Sequence, residues 1–100
     1  MIYQVIVRPA ARFDIAEAES WYNKQQPGVG GEFSETIEAA IDSLAETPLT
    51  HAIRIKRKSI RWFVAPRFPY KVVYRIEGQS VVVVAVTHTA RDDRTWLKRI

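Results

Sequence analysis

Six consecutive apolar residues, at positions 81–86, constrain the fold of this chain more than any other feature of its sequence. The segment is apolar at both alternating positions of a strand, and it is far shorter than the roughly 20 residues that a membrane-spanning helix needs. A strand of this kind has both faces covered and lies inside a sheet, because at an exposed edge it would promote aggregation. The sequence therefore predicts a central strand that is buried on both sides.

Two further β segments precede this strand, at residues 60–64 and 70–76, and a turn around Gly78 separates the second from it. Three consecutive strands with short connections predict an antiparallel meander. Along residues 70–76 the side chains alternate between two faces. We expect one face to be core and the other, with Lys71 and Arg75, to carry charge.

The first half of the chain predicts a strand followed by two helices. Residues 2–7 have strand character, and helical spacing of apolar residues follows over about 12–25 and again from about Glu32 until Pro48 ends the pattern. Between the helices, residues 25–31 hold three glycines and a proline, which predicts a turn. Two helices joined by so short a link form a hairpin that packs its apolar stripes on the sheet.

The fold class that follows is α+β: a small, largely antiparallel sheet with an N-terminal strand and an α-helical hairpin packed on one face. With 47% hydrophobic and 26% charged residues, the chain has the composition of an ordinary folded protein. We expect a single domain over residues 1–100.

Several classes of site and location are disfavoured by the sequence. The chain has no cysteine, which excludes disulfides, a thiol nucleophile and cysteine-based metal sites, and favours a reducing, cytoplasmic setting. The two histidines, His51 and His88, lack metal-ligand spacing, so we expect no metal and no cofactor. Residues 28–31 follow a helix and not a strand, so the glycines predict a turn and not a phosphate-binding loop. No signal peptide or membrane segment is expected.

Charge is divided very unevenly along the chain. Residues 1–50 carry three basic and eight acidic side chains, a net charge of −5, whereas residues 51–100 carry twelve basic and three acidic side chains, a net charge of +9. This asymmetry predicts that the second half meets an anionic partner, with nucleic acid first and an acidic protein segment next.

Basic and aromatic residues are interleaved in the second half, a mixture that suits contacts with phosphates and bases. The same residue types anchor protein interfaces, and composition does not separate the two uses. The candidates for target or nucleic-acid binding are Arg61, Arg67, Lys71, Arg75, Arg91 and Trp96.

The segments RFPYKVVYRI at 67–76, VVVVAV at 81–86 and HTARD at 88–92 resemble the toxins of the RelE/ParE superfamily of type II toxin–antitoxin modules. The likeness is strongest to the ParE-like branch, often labelled plasmid stabilisation proteins. It implies a toxin that a cognate antitoxin holds inactive with a helix in an apolar groove and often an added strand. The candidate antitoxin contacts are Trp21, Tyr22 and Trp62.

The two branches of this superfamily imply different targets. RelE-like members cleave messenger RNA in the ribosome, and placing their pattern on this chain puts basic residues at Lys71 and Arg91 only. Their remaining catalytic positions fall near Trp62, Val64 and Leu97, which cannot transfer protons.

The resemblance therefore implies a ParE-like toxin that acts by binding DNA gyrase, without bond-breaking chemistry of its own. The first alternative is a ribosome-dependent ribonuclease in which Lys71 and Arg91 stabilise charge. The second is a non-toxic, basic nucleic-acid-binding or adaptor module. In the preferred hypothesis the partners are the antitoxin and gyrase, and promoter DNA is contacted only through the antitoxin complex.

Overall fold

The computed structural model describes residues 2–100. In chain order the elements are β1 (Gln4–Val7), α1 (Pro9–Gln25), α2 (Val29–Asp42), β2 (Ile53–Ile55), β3 (Ile60–Val64), β4 (Tyr70–Glu77), β5 (Ser80–His88) and α3 (Arg94–Leu97). Single turns of 3-10 helix follow α2 at Ser43–Ala45 and join β2 to β3 at Lys56–Lys58.

The strands form one sheet in the order β1-β5-β4-β3-β2. The pairings β2–β3, β3–β4 and β4–β5 are antiparallel, and β1 joins β5 in parallel. The predicted α+β class and the meander are confirmed, and the apolar strand β5 lies inside the sheet with a neighbour on each side.

Both faces of β5 are covered, as its sequence predicts. Val81, Val83 and Val86 belong to the core beneath the two long helices, whereas Val82, Val84 and Ala85 belong to a second cluster on the opposite face. The pattern switches at residues 84 and 85, which share a face, because the register with β4 shifts there. Alternation along the strand lets the apolar run supply both cores, and the β-bulge shifts the phase of that alternation by one residue.

The helical hairpin packs on one side of the sheet, which we call the α1–α2 face. Its core combines buried helix residues, among them Ile15, Phe33 and Ile37, with Val72 and Tyr74 of β4. The other side, which we call the α3 face, carries the second cluster, with Trp96 of α3 packed over Val73.

One glycine brings the two helices together. A Cβ atom on Gly30 would lie 2.3 Å from the backbone oxygen of Glu19 and 2.5 Å from side-chain atoms of Asn23. Without a side chain there, the Asn23 Oδ1 accepts hydrogen bonds from the backbone amides of Gly28 and Gly30, at 3.2 and 2.9 Å. The predicted turn is confirmed, with Gly28 in the left-handed region at φ 95°.

Several boundaries differ from the sequence prediction. The first helix begins at Pro9 and not near residue 12, because proline suits the first turn of a helix. The second begins at Val29 and not near Glu32, because only Gly28 is needed to reverse the chain.

Two elements were not predicted, the short strand β2 and the short helix α3. The second face of β4 carries the charged side chains of Lys71 and Arg75, as expected. That face also has an apolar cluster, since α3 folds back over it.

Candidate functional site

The α3 face is closed around a buried lysine. Lys71 projects from β4 and is only 6% exposed. Its ammonium group lies 2.7 Å from the Asp93 Oδ1, 4.1 Å from the ring centroid of Trp62 and 5.7 Å from that of Trp96. The Trp96 Nε1 donates to the same Asp93 oxygen at 3.1 Å. Burial of a lysine requires such compensation, because removing the charge from water is costly.

A second ion pair ties the residues after α3 to the other side of the molecule. The buried carboxylate of Asp14, on α1, accepts from the Arg99 guanidinium at 2.7 and 3.0 Å and from the Val86 amide at 3.0 Å. Arg99 also donates to the Val84 oxygen at 3.1 Å. Because β1 pairs with β5 only as far as Val83, these side chains replace the missing strand. The hydrogen bond to Asp14 raises the pKa of Arg99.

A groove runs between α1 and the end of the β4–β5 pair. A cavity of about 500 Å³ is lined by residues that include Trp21, Tyr70, His88 and Arg91, and an adjoining one of about 360 Å³ shares three of these and adds Tyr22. We call this the α1 groove and define it by these five residues. Trp21 is 54% exposed at its rim. The groove thus offers an apolar aromatic floor beside one guanidinium group, and the carboxylates of Asp14 and Glu17 also line the larger cavity.

The electrostatics of the α1 groove follow from partial burial. Burial raises the pKa of Tyr70, with a further contribution from Tyr22, while Arg91 acts in the opposite direction. Burial also raises the pKa of Tyr22. His88 packs edge-on against Tyr70, and its Nδ1 accepts from the Ala90 amide at 3.0 Å. Both tyrosines are therefore neutral aromatic surfaces at neutral pH.

The predicted basic candidates are dispersed. Arg61 donates to the His51 oxygen at 2.5 Å, Arg67 pairs with Glu32 of α2 at 3.0 Å, and Arg75 pairs with Glu77.

Lys71 and Trp96 meet in the buried cage on the α3 face, where Trp96 is 1% exposed. Arg91 is exposed in the α1 groove and forms no ion pair with the described carboxylates. The structure thus does not gather the six candidates into one patch.

The three candidate antitoxin contacts lie on two faces. Trp21 and Tyr22 are neighbours in the α1 groove, with their rings 5.0 Å apart. Trp62 belongs to the α3 face, where it packs against Trp96 at 5.8 Å and beneath Lys71. Trp62 therefore supports the cage around Lys71, and only Trp21 and Tyr22 share a surface.

Two acidic residues in these arrangements escaped the sequence analysis. Asp14 lies between Ala11 and Ala18 on the buried stripe of α1, and an acid at such a position is a sign of a buried partner. Asp93 immediately precedes α3, and its bond to Lys71 joins residues 22 apart in sequence. No local pattern encodes a pairing of that separation.

Within residues 2–100, no group of three or more histidine and acidic side chains is arranged to hold a metal ion. In the same part of the chain, no helix has both the length and the apolar character that crossing a bilayer requires.

Comparison with known proteins gives one family and a set of similar structures. The family model described as the ParE toxin of the type II toxin–antitoxin system parDE matches residues 5–93. No curated protein matches the sequence.

Among solved structures, a chain of the chromosomal ParDE system from P. aeruginosa has a TM-score of 0.78 at 15% identity and covers 87% of this chain and 96% of its own. A chain of the toxin–antitoxin complex RelBE2 from Mycobacterium tuberculosis has a TM-score of 0.57 at 25% identity and covers 91% of this chain and 95% of its own. Both show the same fold.

Proposed function

Since this chain belongs to the ParE toxin family of type II toxin–antitoxin systems, we propose that it arrests growth by binding DNA gyrase. In this proposal the toxin makes contacts and does not itself break bonds. A cognate antitoxin neutralises it by occupying the α1 groove.

The burial and pairing of Lys71 favour a toxin that binds its target over one that cleaves RNA. Cleavage of RNA through its 2′-hydroxyl needs a proton acceptor, a proton donor for the leaving oxygen and a cation beside the phosphorane. Lys71 is the basic residue on the sheet face that a RelE-like mechanism would use, and here it is bound to Asp93 beneath two tryptophans. A cation in that state is not free to approach a phosphate.

Arg91 remains available for contact, unlike Lys71. It is exposed, it forms no ion pair with a described carboxylate, and it lies beside Trp21 and Tyr70. Arginine next to exposed aromatic side chains is the composition of an interface hot spot. We assign Arg91 to the contact with the target or with the antitoxin, and in neither case to catalysis.

The α1 groove suits an antitoxin segment because of its shape and charge. Its adjoining cavity is lined by Tyr22, Pro69 and Tyr70 in addition to Trp21, which favours an apolar helix face. The neighbouring Arg91 favours an acidic residue at the rim of that helix. Two of the similar solved structures come from the ParDE and RelBE2 toxin–antitoxin systems, which supports an antitoxin as the partner.

The experiment that tests the proposal compares purified chain on two targets. Gyrase supercoiling and the accumulation of cleaved DNA are measured in one assay, and cleavage of messenger RNA on translating ribosomes in the other. We expect inhibition of gyrase, intact RNA and recovery of supercoiling when the protein of the adjacent reading frame is added. RNA cleavage with unaffected gyrase would replace this proposal with the ribonuclease alternative.

A substitution of Arg91 sharpens the same experiment. Arg91→Ala is expected to weaken binding to gyrase, or to the antitoxin, by at least about tenfold, which is the scale of an interface hot spot. The matched control is Arg12→Ala, which removes one exposed arginine of α1 that pairs with Glu38. A loss confined to RNA cleavage in the Arg91 variant would contradict the assignment.

A further inference from the structure

The connection between β2 and β3 concentrates positive charge at one end of the sheet. Residues 54–61 contain five basic side chains and no acidic one. We call four of them, Arg54, Lys56, Arg57 and Lys58, the basic hairpin. From its geometry we infer that the basic hairpin binds the phosphate backbone of duplex DNA directly.

None of these four side chains forms an ion pair within residues 2–100. The six ion pairs of the described residues involve other cations, namely Arg12, Arg67, Lys71, Arg75, Arg94 and Arg99. All four residues of the basic hairpin are exposed. Unpaired cations concentrated in one turn are the electrostatic feature that draws a polyanion, because binding releases the counterions condensed on its phosphates.

The position and conformation of the turn present these charges outward. β2 is the edge strand and pairs only with β3, so the basic hairpin lies at the margin of the sheet. Lys56–Lys58 form one turn of 3-10 helix, in which three consecutive side chains point in three directions. Ser59 ends this turn in the left-handed region at φ 54°. Side chains that fan out from one turn can reach several phosphates of a backbone.

The electrostatic environment of His51, close to the basic hairpin, also reflects this concentration of positive charge. The pKa of His51 is lowered, first by burial and then by the positive charges of Arg54 and Arg61. Eight of the eleven acidic residues of the chain lie in residues 1–50, which contribute the helical hairpin on the other face. Positive and negative charges are therefore concentrated in different parts of the molecule, and the basic hairpin belongs to the positive part.

Duplex DNA fits this surface better than a single strand does. Proteins that hold single strands use exposed aromatic rings on which bases stack. The aromatic ring beside the basic hairpin is Trp62, whose faces and edges are engaged by Arg54 at 5.6 Å, Lys71 at 4.1 Å and Trp96 at 5.8 Å. Because the Trp62 ring is already engaged, recognition at this surface is left to the backbone phosphates of a duplex.

This inference does not rest on gyrase as the target. Family resemblance implies contact with promoter DNA only through the antitoxin complex, whereas the basic hairpin would give the toxin chain a DNA contact of its own. It also lies apart from the α1 groove in the fold, since α1, β4 and β5 form that groove and β3 separates β4 from the edge strand β2. The two proposals can therefore fail separately.

The test is equilibrium binding of the full chain to a labelled DNA duplex of about 20 base pairs over a range of salt concentrations. We compare the natural chain with the triple variant K56Q/R57Q/K58Q. Each phosphate contact contributes about 0.9 to the slope of log binding constant against log salt. The variant is expected to lower that slope by about 2 to 3 and to weaken binding at low salt at least about tenfold.

The matched control is R8Q/R12Q/K24Q, which removes the same net charge from the first half of the chain. Thermal unfolding of both variants reports whether they fold. Equal losses in the two variants would overturn the inference, because net charge alone would then explain the binding. Tighter binding of a single strand, or binding of polyglutamate without binding of DNA, would also overturn it, the last in favour of an acidic protein surface.

Discussion

The two faces of β4 are closed in different ways. On the α1–α2 face, Val72 and Tyr74 lie beneath two helices of 17 and 14 residues, and apolar area holds the layers together. On the α3 face the covering helix has four residues, and a caged lysine and an ion pair to Asp14 fasten the segment that contains it. Where a short element cannot bury enough area, charged and aromatic contacts fix its position.

Tyr74 on one face and Lys71 on the other are buried polar groups whose partners differ in kind. The Tyr74 hydroxyl donates to the Pro48 oxygen at 2.5 Å and is otherwise surrounded by core. The Lys71 ammonium is bound to a carboxylate that is itself 39% exposed. The first group is neutral and needs one partner, whereas the second is charged and needs an anion and two rings. This difference can be tested by substitution and by pH.

The largest effect is expected on the α1–α2 face. Phe33 is fully buried and contacts the rings of Tyr22, Phe68 and Tyr70 at 4.9–5.3 Å. Phe33→Ala is expected to lower the free energy of unfolding by about 3 to 5 kcal/mol, measured in urea. The control Phe13→Ala changes a ring that is 62% exposed and should cost less than about 1 kcal/mol. Equal effects would show that the hairpin core is not what stabilises this face.

The second effect is a loss of stability at alkaline pH. Burial raises the pKa of Tyr74 from 10.0 to about 12, and the charge of Arg61 opposes this shift. The folded state therefore keeps the proton where an unfolded tyrosine has lost it. The stability is fully present below pH 10 and declines between pH 10 and about 12, by roughly 3 kcal/mol in all.

This dependence on pH is measured by urea unfolding at intervals above pH 9. In Tyr74→Phe the alkaline decline should be smaller, because the group responsible is gone, although the Pro48 oxygen loses its donor. The pKa of Tyr22 and of Tyr70 is also raised, so a residual decline is expected. An unchanged slope in the variant would show that Tyr74 does not cause the alkaline loss.

The contrast between the faces also explains how much could be predicted from sequence. The α1–α2 face rests on periodicity, since Phe33, Ile37 and Ile41 repeat at helical spacing and residues 70–76 alternate as a strand does. Those patterns are local, and the predicted class and central strand are confirmed. Helix starts were off by about three residues because Pro9 and Gly30 can occupy a first turn.

The α3 face could not be predicted in the same way. Its contacts join Lys71 to Asp93 and Arg99 to Asp14, pairs that are 22 and 85 residues apart. Nothing in the tail after residue 91 has enough apolar periodicity to predict a helix of four residues. Lys71 could be placed on this face by alternation, but its burial depends on where that tail folds. The sequence therefore predicted which residue types the candidate site contains, but not how they are arranged in space.

The smallest expected change in stability comes from two substitutions of Lys71, which separate the contribution of its charge from that of its side-chain packing. Lys71→Ala removes the ion pair with Asp93 and the cation–π contact with Trp62, and we expect a loss of about 1 to 2 kcal/mol. Lys71→Met keeps the length of the side chain against the two rings and avoids burying a charge, so it should cost less than about 1 kcal/mol. Urea unfolding measures both.

The same two variants distinguish local opening of α3 from unfolding of the whole sheet. Because Asp93 also accepts from Trp96, loss of the ammonium should loosen the residues from 93 onward before the sheet opens. Amide hydrogen exchange should therefore quicken in α3 of Lys71→Ala while the amides of β5 stay protected. If the methionine variant loosens α3 as much as the alanine variant, the charge and not the packed stem holds this face closed. If neither variant loosens it, the Asp14–Arg99 pair is sufficient to hold α3 in place.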